Sequence, residues 1–275
     1  MKHGPRLFLT DMQGYKVERE VPVNVHVGAT AHATWENAPL TVNEHKAKKS
    51  WWQKLSQSIN LAGAWLFLQV LFGSNRLAIP HVSVPSIAWL DWDALRRAGF
   101  QGCVLDKDNT LTHPYKSKVA PQLLPSLQRC QQAFEGRLAL FSNSAGLRQY
   151  DPEGVDAALL EQNLGIPVLR HSEKKPAGGS GSLEDHFGCP ANKLIMIGDR
   201  YLTDIVYGNR HGMLTIRPSP LTREGEPQAV RWVRMLEDFL VRRYRKQGKQ
   251  APQHKLAATS EIIYSFVNDN KIAVW

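Results

Sequence analysis

The alternation of apolar runs and amphipathic stretches between residues 80 and 246 predicts strands and helices in turn. The short apolar runs are typical of buried strands and lie at residues 102–105, 137–141, 166–169, 194–197 and 214–216. Helices are predicted between them, at residues 121–134, 151–165 and 180–187, from Thr203, and at residues 226–246. Strands that alternate with helices predict an α/β fold, a mainly parallel sheet with helices on both faces.

Residues 51–72 follow a different pattern. The first half predicts an amphipathic helix with Trp51, Trp52 and Ile59 on its apolar stripe, and the second half is apolar nearly all round. The uninterrupted apolar run at residues 61–68 is eight residues long, whereas a membrane-spanning helix needs about 20. We expect this helix to lie in a membrane interface, or to pack on the protein or on a partner subunit.

The remaining composition completes the predicted organisation of the chain. We expect an irregular extension at residues 1–50, an interfacial segment at 51–79, an α/β domain at 80–246 and a C-terminal tail at 247–275. The net charge of +9 favours an anionic partner, which is a nucleic acid, an anionic lipid or a phosphorylated substrate. The aromatic residues do not alternate with the basic ones as a nucleic-acid surface requires, so we expect no nucleic-acid partner. The three cysteines are far apart, which indicates free thiols in a reducing compartment.

Reactive side chains follow four of the predicted elements. Asp106, Ser142 and Asp199 each come directly at or after an apolar run, and a loop with Lys174 and Lys175 follows residues 166–169. Ligands of open α/β sheets bind at the carboxyl ends of the strands. A carboxylate there can act as a nucleophile, and carboxylate oxygens are ligands that Mg²⁺ prefers. The pattern predicts one site in which these side chains meet.

The four tracts DKDNT, SNSAG, Lys-Pro and GDRYLTD resemble, in chain order, the motifs of the haloacid dehalogenase superfamily of aspartyl-phosphate phosphatases. The resemblance implies a Rossmann-like fold, with Asp106 as nucleophile and Asp108 as general acid and base. It also implies that Ser142 and Lys175 hold the phosphoryl oxygens. For Mg²⁺ it implies the ligands Asp106, the backbone carbonyl of Asp108, and Asp199, with Asp204 either ligating the ion or supporting the ligands. Thr110 and Asn143 are expected to orient the substrate or shape the turns.

The spacing of these motifs bears on the substrate. Thirty-six residues separate Asp106 from Ser142, and thirty-three separate Ser142 from Lys175. In the superfamily, specificity caps are inserted in those two intervals, and neither is long enough here for a cap domain. We therefore expect an open site and a substrate that brings its own bulk, such as a protein, a nucleic acid end or a lipid headgroup at a membrane.

The tracts LDKDNTLT, FSNSAG, IPVLRHSEKKPAG and GDRYLTDIVYGN resemble, more narrowly, the phosphatidylglycerophosphate phosphatases of mitochondria and plastids, and the similarity spans about residues 55–245. It implies a Mg²⁺-dependent hydrolysis that yields phosphatidylglycerol, the precursor of cardiolipin. It also implies a peripheral location on the matrix face of the mitochondrial inner membrane, or alternatively in a plastid. Arg170, His171 and Lys174 are then candidates to bind the second phosphate of the substrate.

A lipid substrate makes the basic C-terminal helix relevant. Its positive residues suit an anionic bilayer surface and comprise Arg231, Arg234, Arg242, Arg243, Arg245, Lys246 and Lys249. Two alternatives stay open. One is a soluble phosphatase that acts on a protein or a small phosphate ester. The other is an accessory subunit of a larger organellar membrane complex that retains the phosphatase fold, to which the extensions at both ends of the chain would bind.

Overall fold

The computed structural model describes residues 6–10, 16–20 and 75–268. The helix expected at residues 51–72 lies outside the described residues. Strands β1 (Arg6–Thr10) and β2 (Lys16–Glu20) pair antiparallel, with Arg6 opposite Glu20. This part of the segment that we expected to be irregular is therefore strand, because local composition does not reveal pairing between two short segments.

The five remaining strands form one parallel sheet in the order β3-β7-β6-β4-β5. These strands are β3 (Val82–Val84), β4 (Gly102–Leu105), β5 (Leu138–Leu140), β6 (Leu194–Ile197) and β7 (Leu214–Pro218). Every residue of β4, β5 and β6 is buried, so both faces of the central strands are covered. The predicted α/β fold with a parallel sheet is confirmed, and β4 and β6 lie side by side in its middle.

Helices connect the strands and cover the sheet. They are α1 (Trp92–Arg97), α2 (Leu124–Ala133), α3 (Val155–Leu164), α4 (Gly181–Phe187), α5 (Val206–Arg210), α6 (Gln228–Lys246) and α7 (Ser260–Ser265). On one face of the sheet, Val104 and Met196 pack with Leu183 of α4 and Tyr207 of α5. None of the helices within the described residues is long and apolar enough to cross a membrane.

The start of α3 differs from the prediction. We expected the helix to begin at Asp151, but it begins at Val155, after Gly154 with a φ of 80°. A left-handed residue interrupts the helical path, and glycine adopts this conformation readily. The Asp151 carboxylate still accepts a hydrogen bond from the backbone N–H of Ala157 (3.0 Å), so it satisfies a free N–H of the first turn from the preceding loop.

Three other elements differ in extent. The strand expected at residues 166–169 is reduced to a single bridge between Leu140 and Val168, next to Pro167, which has no N–H to donate. The helix expected from Thr203 begins as a π-helical turn, Tyr201–Ile205, and the helix expected at 121–134 begins as a 3-10 turn, Pro121–Leu123. Strand β3 was not predicted, because three residues give no measurable periodicity.

The C-terminal segment, expected as a tail, packs on the α/β domain in its described part. The Phe266 side chain is fully buried and meets Phe100 with ring centroids 6.0 Å apart. The backbone N–H of Asp91 donates to the carbonyl of Phe266 (2.9 Å). His254 is also buried and lies beside His81, with ring centroids 5.7 Å apart.

Candidate active site

Three carboxylates meet at the carboxyl ends of the two central strands. Asp106 directly follows β4, and its N–H donates to the carbonyl of Ile197 at the end of β6 (2.8 Å). Asp199 follows β6, and the π-helical turn brings Asp204 back toward it. Asp106, Asp199 and Asp204 are all buried and each offers a carboxylate oxygen within 4.8 Å of the others. The fold therefore concentrates negative charge at one point of the sheet edge.

Gly198 is required for this convergence. A Cβ atom at position 198 would lie 2.3 Å from Cγ of Asp204, which is far inside van der Waals contact. The Asp204 carboxylate also accepts a hydrogen bond from the backbone N–H of Arg200 (3.1 Å). A side chain at position 198 would therefore displace Asp204 from the cluster.

Lys175 neutralises part of this charge. Its Nζ donates to Oδ1 of Asp106 (2.9 Å) and to Oδ1 of Asp204 (2.5 Å), and its side chain is buried. Burial alone would lower the pKa of Lys175, but the two carboxylates outweigh it and raise the pKa. Lys175 is thus a fixed cation beside Asp106.

The carboxylate cluster suits a hard divalent cation. Burial raises the pKa of Asp199 to about 7, against the lowering effect of Arg234 and with a further rise from Asp204 and Asp106. Burial likewise raises the pKa of Asp204 despite its contact with Lys175. Oδ2 of Asp199 is buried and has no aligned hydrogen-bond donor among the described residues, although Nη2 of Arg234 lies 2.6 Å away. Buried carboxylate oxygens that repel each other fit a hard divalent cation such as Mg²⁺ by their chemistry.

Asp108 lies apart from the three clustered carboxylates and is held by its own donors. Oδ1 accepts from Nζ of Lys107 (2.5 Å) and from the backbone N–H of Tyr115 (2.9 Å), and Oδ2 accepts from the Ser144 hydroxyl. Its side chain is 24% exposed, whereas that of Asp106 is 11% exposed. Asp108 is therefore the carboxylate of the DKDNT tract that is better placed to exchange a proton with solvent or substrate.

The SNSAG tract reaches both sides of the site. The Ser142 hydroxyl lies 3.2 Å from that of Ser144, which contacts Asp108. Asn143 exchanges two hydrogen bonds with the backbone of Lys175, donating to its carbonyl (3.0 Å) and accepting from its N–H (2.7 Å). Asn143 therefore fixes the loop that carries Lys175. Thr110 is buried, and its hydroxyl has no partner among the described residues.

The three basic residues expected to bind a second phosphate have different surroundings. Arg170 donates to the backbone carbonyls of Asp151 and Pro152, so its guanidinium is engaged by the loop before α3. His171 places its ring nitrogens 2.7 Å from the carbonyl of Glu173 and 3.0 Å from that of Ser142, and burial lowers its pKa. Lys174 lies over the ring of Tyr150, with Nζ 5.2 Å from the centroid.

Helix α6 reaches the site, which the sequence did not predict. Arg234 was assigned to an exposed basic set, but it is buried and pairs with Asp199 (2.6 Å) and with Glu226 (2.8 Å). Glu226 also accepts from Nδ2 of Asn109 in the DKDNT tract (2.7 Å). Glu237 is buried and pairs with Arg200 (3.0 Å). Nothing in the local sequence pattern marks Glu226, Arg234 or Glu237 as site residues. Lys107 and Ser144 were also missed, but they lie inside the DKDNT and SNSAG tracts, and that position is the signal that could have found them.

Comparison with known proteins identifies relatives of this chain. Residues 62–222 match the family described as mitochondrial PGP phosphatase. Phosphatidylglycerophosphate phosphatase 1, chloroplastic, of Chlamydomonas reinhardtii is 51% identical over 234 residues, which cover 85% of this chain and 87% of the relative. Phosphatidylglycerophosphate phosphatase 1, chloroplastic/mitochondrial, of Arabidopsis thaliana is 47% identical over 212 residues, which cover 76% of this chain and 61% of the relative.

A fungal protein extends the comparison. The probable mitochondrial phosphatidylglycerophosphatase of Schizosaccharomyces pombe is 31% identical over 211 residues, which cover 72% of this chain and 98% of the relative. These matches confirm the resemblance inferred from the sequence motifs. The chain belongs to the mitochondrial PGP phosphatase family.

Proposed function

We propose that this chain is a Mg²⁺-dependent phosphatidylglycerophosphate phosphatase that works through a phosphoaspartate on Asp106. The observation that carries the proposal is the contact of Asp106 with Lys175 inside a buried cluster of carboxylates. A carboxylate with a fixed cation beside it and a proton donor two residues away is the arrangement that phosphoryl transfer to an aspartate needs. The substrate, phosphatidylglycerophosphate, is inferred from the names of the relatives.

In the first step, an Oδ atom of Asp106 attacks the terminal phosphorus of the substrate, and the bond from phosphorus to the glycerol oxygen breaks. Asp108 gives its proton to that oxygen as it leaves. In the second step, water attacks the phosphorus of the phosphoaspartate and Asp108 takes the proton of the water. The acyl phosphate bond breaks, which releases phosphate and restores the Asp106 carboxylate.

The phosphoryl group is negatively charged, so the site needs positive charge beside the phosphoryl oxygens. Lys175 supplies one fixed charge, and the Ser142 hydroxyl is placed to donate to a phosphoryl oxygen once substrate displaces its contact with Ser144. A bound Mg²⁺ would be held by Asp106, Asp199 and Asp204, with the backbone carbonyl of Asp108, and would neutralise charge on the carboxylates and the phosphoryl group.

We propose that the second phosphate of the substrate binds in a cavity lined by basic residues. A cavity of about 370 Å³ is lined by Phe141, Arg148, Arg170 and His171 among others. Phe141 follows β5, directly before Ser142, so the cavity adjoins the site. We infer that Arg148 and Lys174 contribute charge toward this phosphate. Arg170 acts there chiefly by holding the loop at Asp151, because its guanidinium already bonds two carbonyls.

An organellar membrane is the proposed location. The matrix face of the mitochondrial inner membrane and the plastid are the two candidates, with the enzyme peripheral to the bilayer and its product feeding cardiolipin synthesis. The name of the algal relative contains the word chloroplastic, that of the Arabidopsis relative both chloroplastic and mitochondrial, and that of the fission-yeast relative mitochondrial, which supports an organelle. Residues 51–72 are the proposed membrane contact from the N-terminal side.

The full chain should be assayed on vesicles that contain phosphatidylglycerophosphate, with Mg²⁺ or with a chelator. The proposal predicts release of phosphate and phosphatidylglycerol, loss of turnover in chelator, and weak activity on a water-soluble ester. Equal turnover of the water-soluble ester, unaffected by vesicles, would favour a soluble phosphatase. A folded chain that binds Mg²⁺, hydrolyses neither substrate and stays bound to a large membrane complex would favour an accessory subunit.

A further inference from the structure

Helix α6 (Gln228–Lys246) buries two opposite charges and exposes several large apolar side chains. The residues that it buries are Arg234, Glu237, Val241 and Tyr244. Five large apolar side chains are exposed on this helix. They are Val233 (40% exposed) and four that we call the apolar face of α6, namely Trp232 (68%), Met235 (55%), Leu236 (43%) and Phe239 (60%). A helix that packs on a core through its apolar stripe would bury these four side chains.

The spacing makes these side chains one surface. Trp232, Met235, Leu236 and Phe239 stand at positions i, i+3, i+4 and i+7, which lie together along one side of a helix. Single exposed apolar residues are common and carry no meaning, but a contiguous stripe of this size marks an interaction site. On the helical wheel the stripe lies opposite the face that contains Arg234.

The charges around the apolar face of α6 indicate which kind of partner binds there. Exposed basic residues border the apolar face at both ends and are Arg231, Arg242, Arg243 and Lys246. The exposed surface of α6 therefore combines aromatic and aliphatic side chains with positive charge and bears Asp238 as a half-buried acid. Aromatic and aliphatic groups enter the headgroup boundary of a bilayer, and the basic groups bind anionic phospholipid beside them.

We propose that the apolar face of α6 docks on a bilayer that contains anionic phospholipid. This inference rests on the proposed function only in that a lipid substrate brings the enzyme to such a surface. The buried side of the same helix pairs Arg234 with Asp199 and Glu237 with Arg200, at distances of 2.6 and 3.0 Å. Docking through α6 therefore holds the carboxylate cluster at a fixed position relative to the lipid headgroups.

Paired variants of the full chain test the surface. Trp232→Ser with Phe239→Ser removes two side chains of the apolar face. Val155→Ser with Leu159→Ser is the matched control on α3, where the side chains are 56% and 45% exposed. Binding to vesicles of phosphatidylcholine and phosphatidylglycerol should weaken about tenfold or more in the first variant and stay unchanged in the control. Equal binding by both variants would overturn the proposal, provided that their unfolding midpoints match the wild type.

A probe on the same face identifies the occupant. The native cysteines are all buried, so Leu236→Cys can be labelled selectively with an environment-sensitive fluorophore. We expect an emission shift to shorter wavelength when vesicles with phosphatidylglycerol are added, and a smaller shift with phosphatidylcholine alone or at high salt. Emission already shifted without vesicles would mean that residues 51–72 cover the face. A shift that depends on protein concentration alone would mean a second copy. Either result contradicts the proposal.

The two proposals fail in different ways. If the chain binds vesicles through α6 but does not hydrolyse phosphatidylglycerophosphate, the substrate assignment fails and the docking surface stands. If it hydrolyses that lipid and the Trp232→Ser, Phe239→Ser variant binds vesicles like the wild type, the docking surface fails and the substrate assignment stands.

Discussion

Replacement of Lys175 by methionine separates the charge of this side chain from its volume. Lys175 Nζ lies 2.9 Å from Asp106 and 2.5 Å from Asp204, and the side chain is buried. At an effective dielectric constant of about 20, each contact is worth about 6 kcal/mol before desolvation. Burial of the charges offsets much of this, so we expect the free energy of unfolding to fall by about 3–5 kcal/mol without metal. Phosphatase turnover should be lost, because the variant lacks the fixed cation beside Asp106 that balances the phosphoryl charge in the proposed mechanism.

The dependence on metal distinguishes this effect from the general loss of a buried lysine. Without Lys175, the three carboxylates depend more on a cation, so added Mg²⁺ should raise the unfolding midpoint more in the variant than in the wild type. Lys107→Met is the matched control, because Lys107 is equally buried but pairs with the Asp108 carboxylate, which is not one of the three clustered carboxylates. Its response to Mg²⁺ should equal that of the wild type. Equal responses in all three proteins, or turnover by Lys175→Met, would refute the reasoning.

Three further predictions concern Asp108, Gly198 and His81. Asp108→Asn should slow turnover by about 10²–10⁴-fold in steady-state assays, and thermal melts should show a lower unfolding midpoint because buried Lys107 loses its charged partner. Gly198→Ala should push Asp204 out of the cluster and abolish stabilisation by Mg²⁺; normal Mg²⁺ binding in calorimetry would contradict this. Burial lowers the pKa of His81 from 6.5 to about 4. Between these two pH values the unfolded chain binds more protons than the folded chain, so the free energy of unfolding falls as the pH drops from 6.5 to 4, by at most about 3 kcal/mol. His81→Gln should flatten this dependence in urea titrations, and exposed His186→Gln should not.

The positions of the reactive carboxylates could be predicted because they follow from the strands. The apolar runs before Asp106 and Asp199 are long enough to indicate β4 and β6, and neighbouring parallel strands end at the same edge. Asp204 comes close through a π-helical turn, which sequence periodicity does not reveal. Its position five residues after Asp199 nevertheless marked it as a possible ligand.

The contributions of α6 could not be predicted, because they depend on contacts between distant parts of the chain. Arg234 lies 35 positions after Asp199 and, by local pattern, belongs with the exposed basic residues of the same helix. Only the docking of the helix decides that Arg234 and Glu237 face inward while Trp232 faces outward. Local conformation limited the other predictions. Gly154 delays the start of α3, and Pro167 reduces a predicted strand to one bridge.

The central claim is that Asp106 carries the phosphoryl group during turnover. Its most direct test is acid quenching of the full chain during hydrolysis of phosphatidylglycerophosphate labelled with ³²P in its terminal phosphate, followed by peptide mapping. The Asp108→Asn variant should accumulate the intermediate, because in the proposed mechanism Asp108 also activates the water of the second step. We predict label on the peptide that contains Asp106, released by hydroxylamine as an acyl phosphate, and none in Asp106→Asn. Label on another residue, or full turnover by Asp106→Asn, would contradict the account.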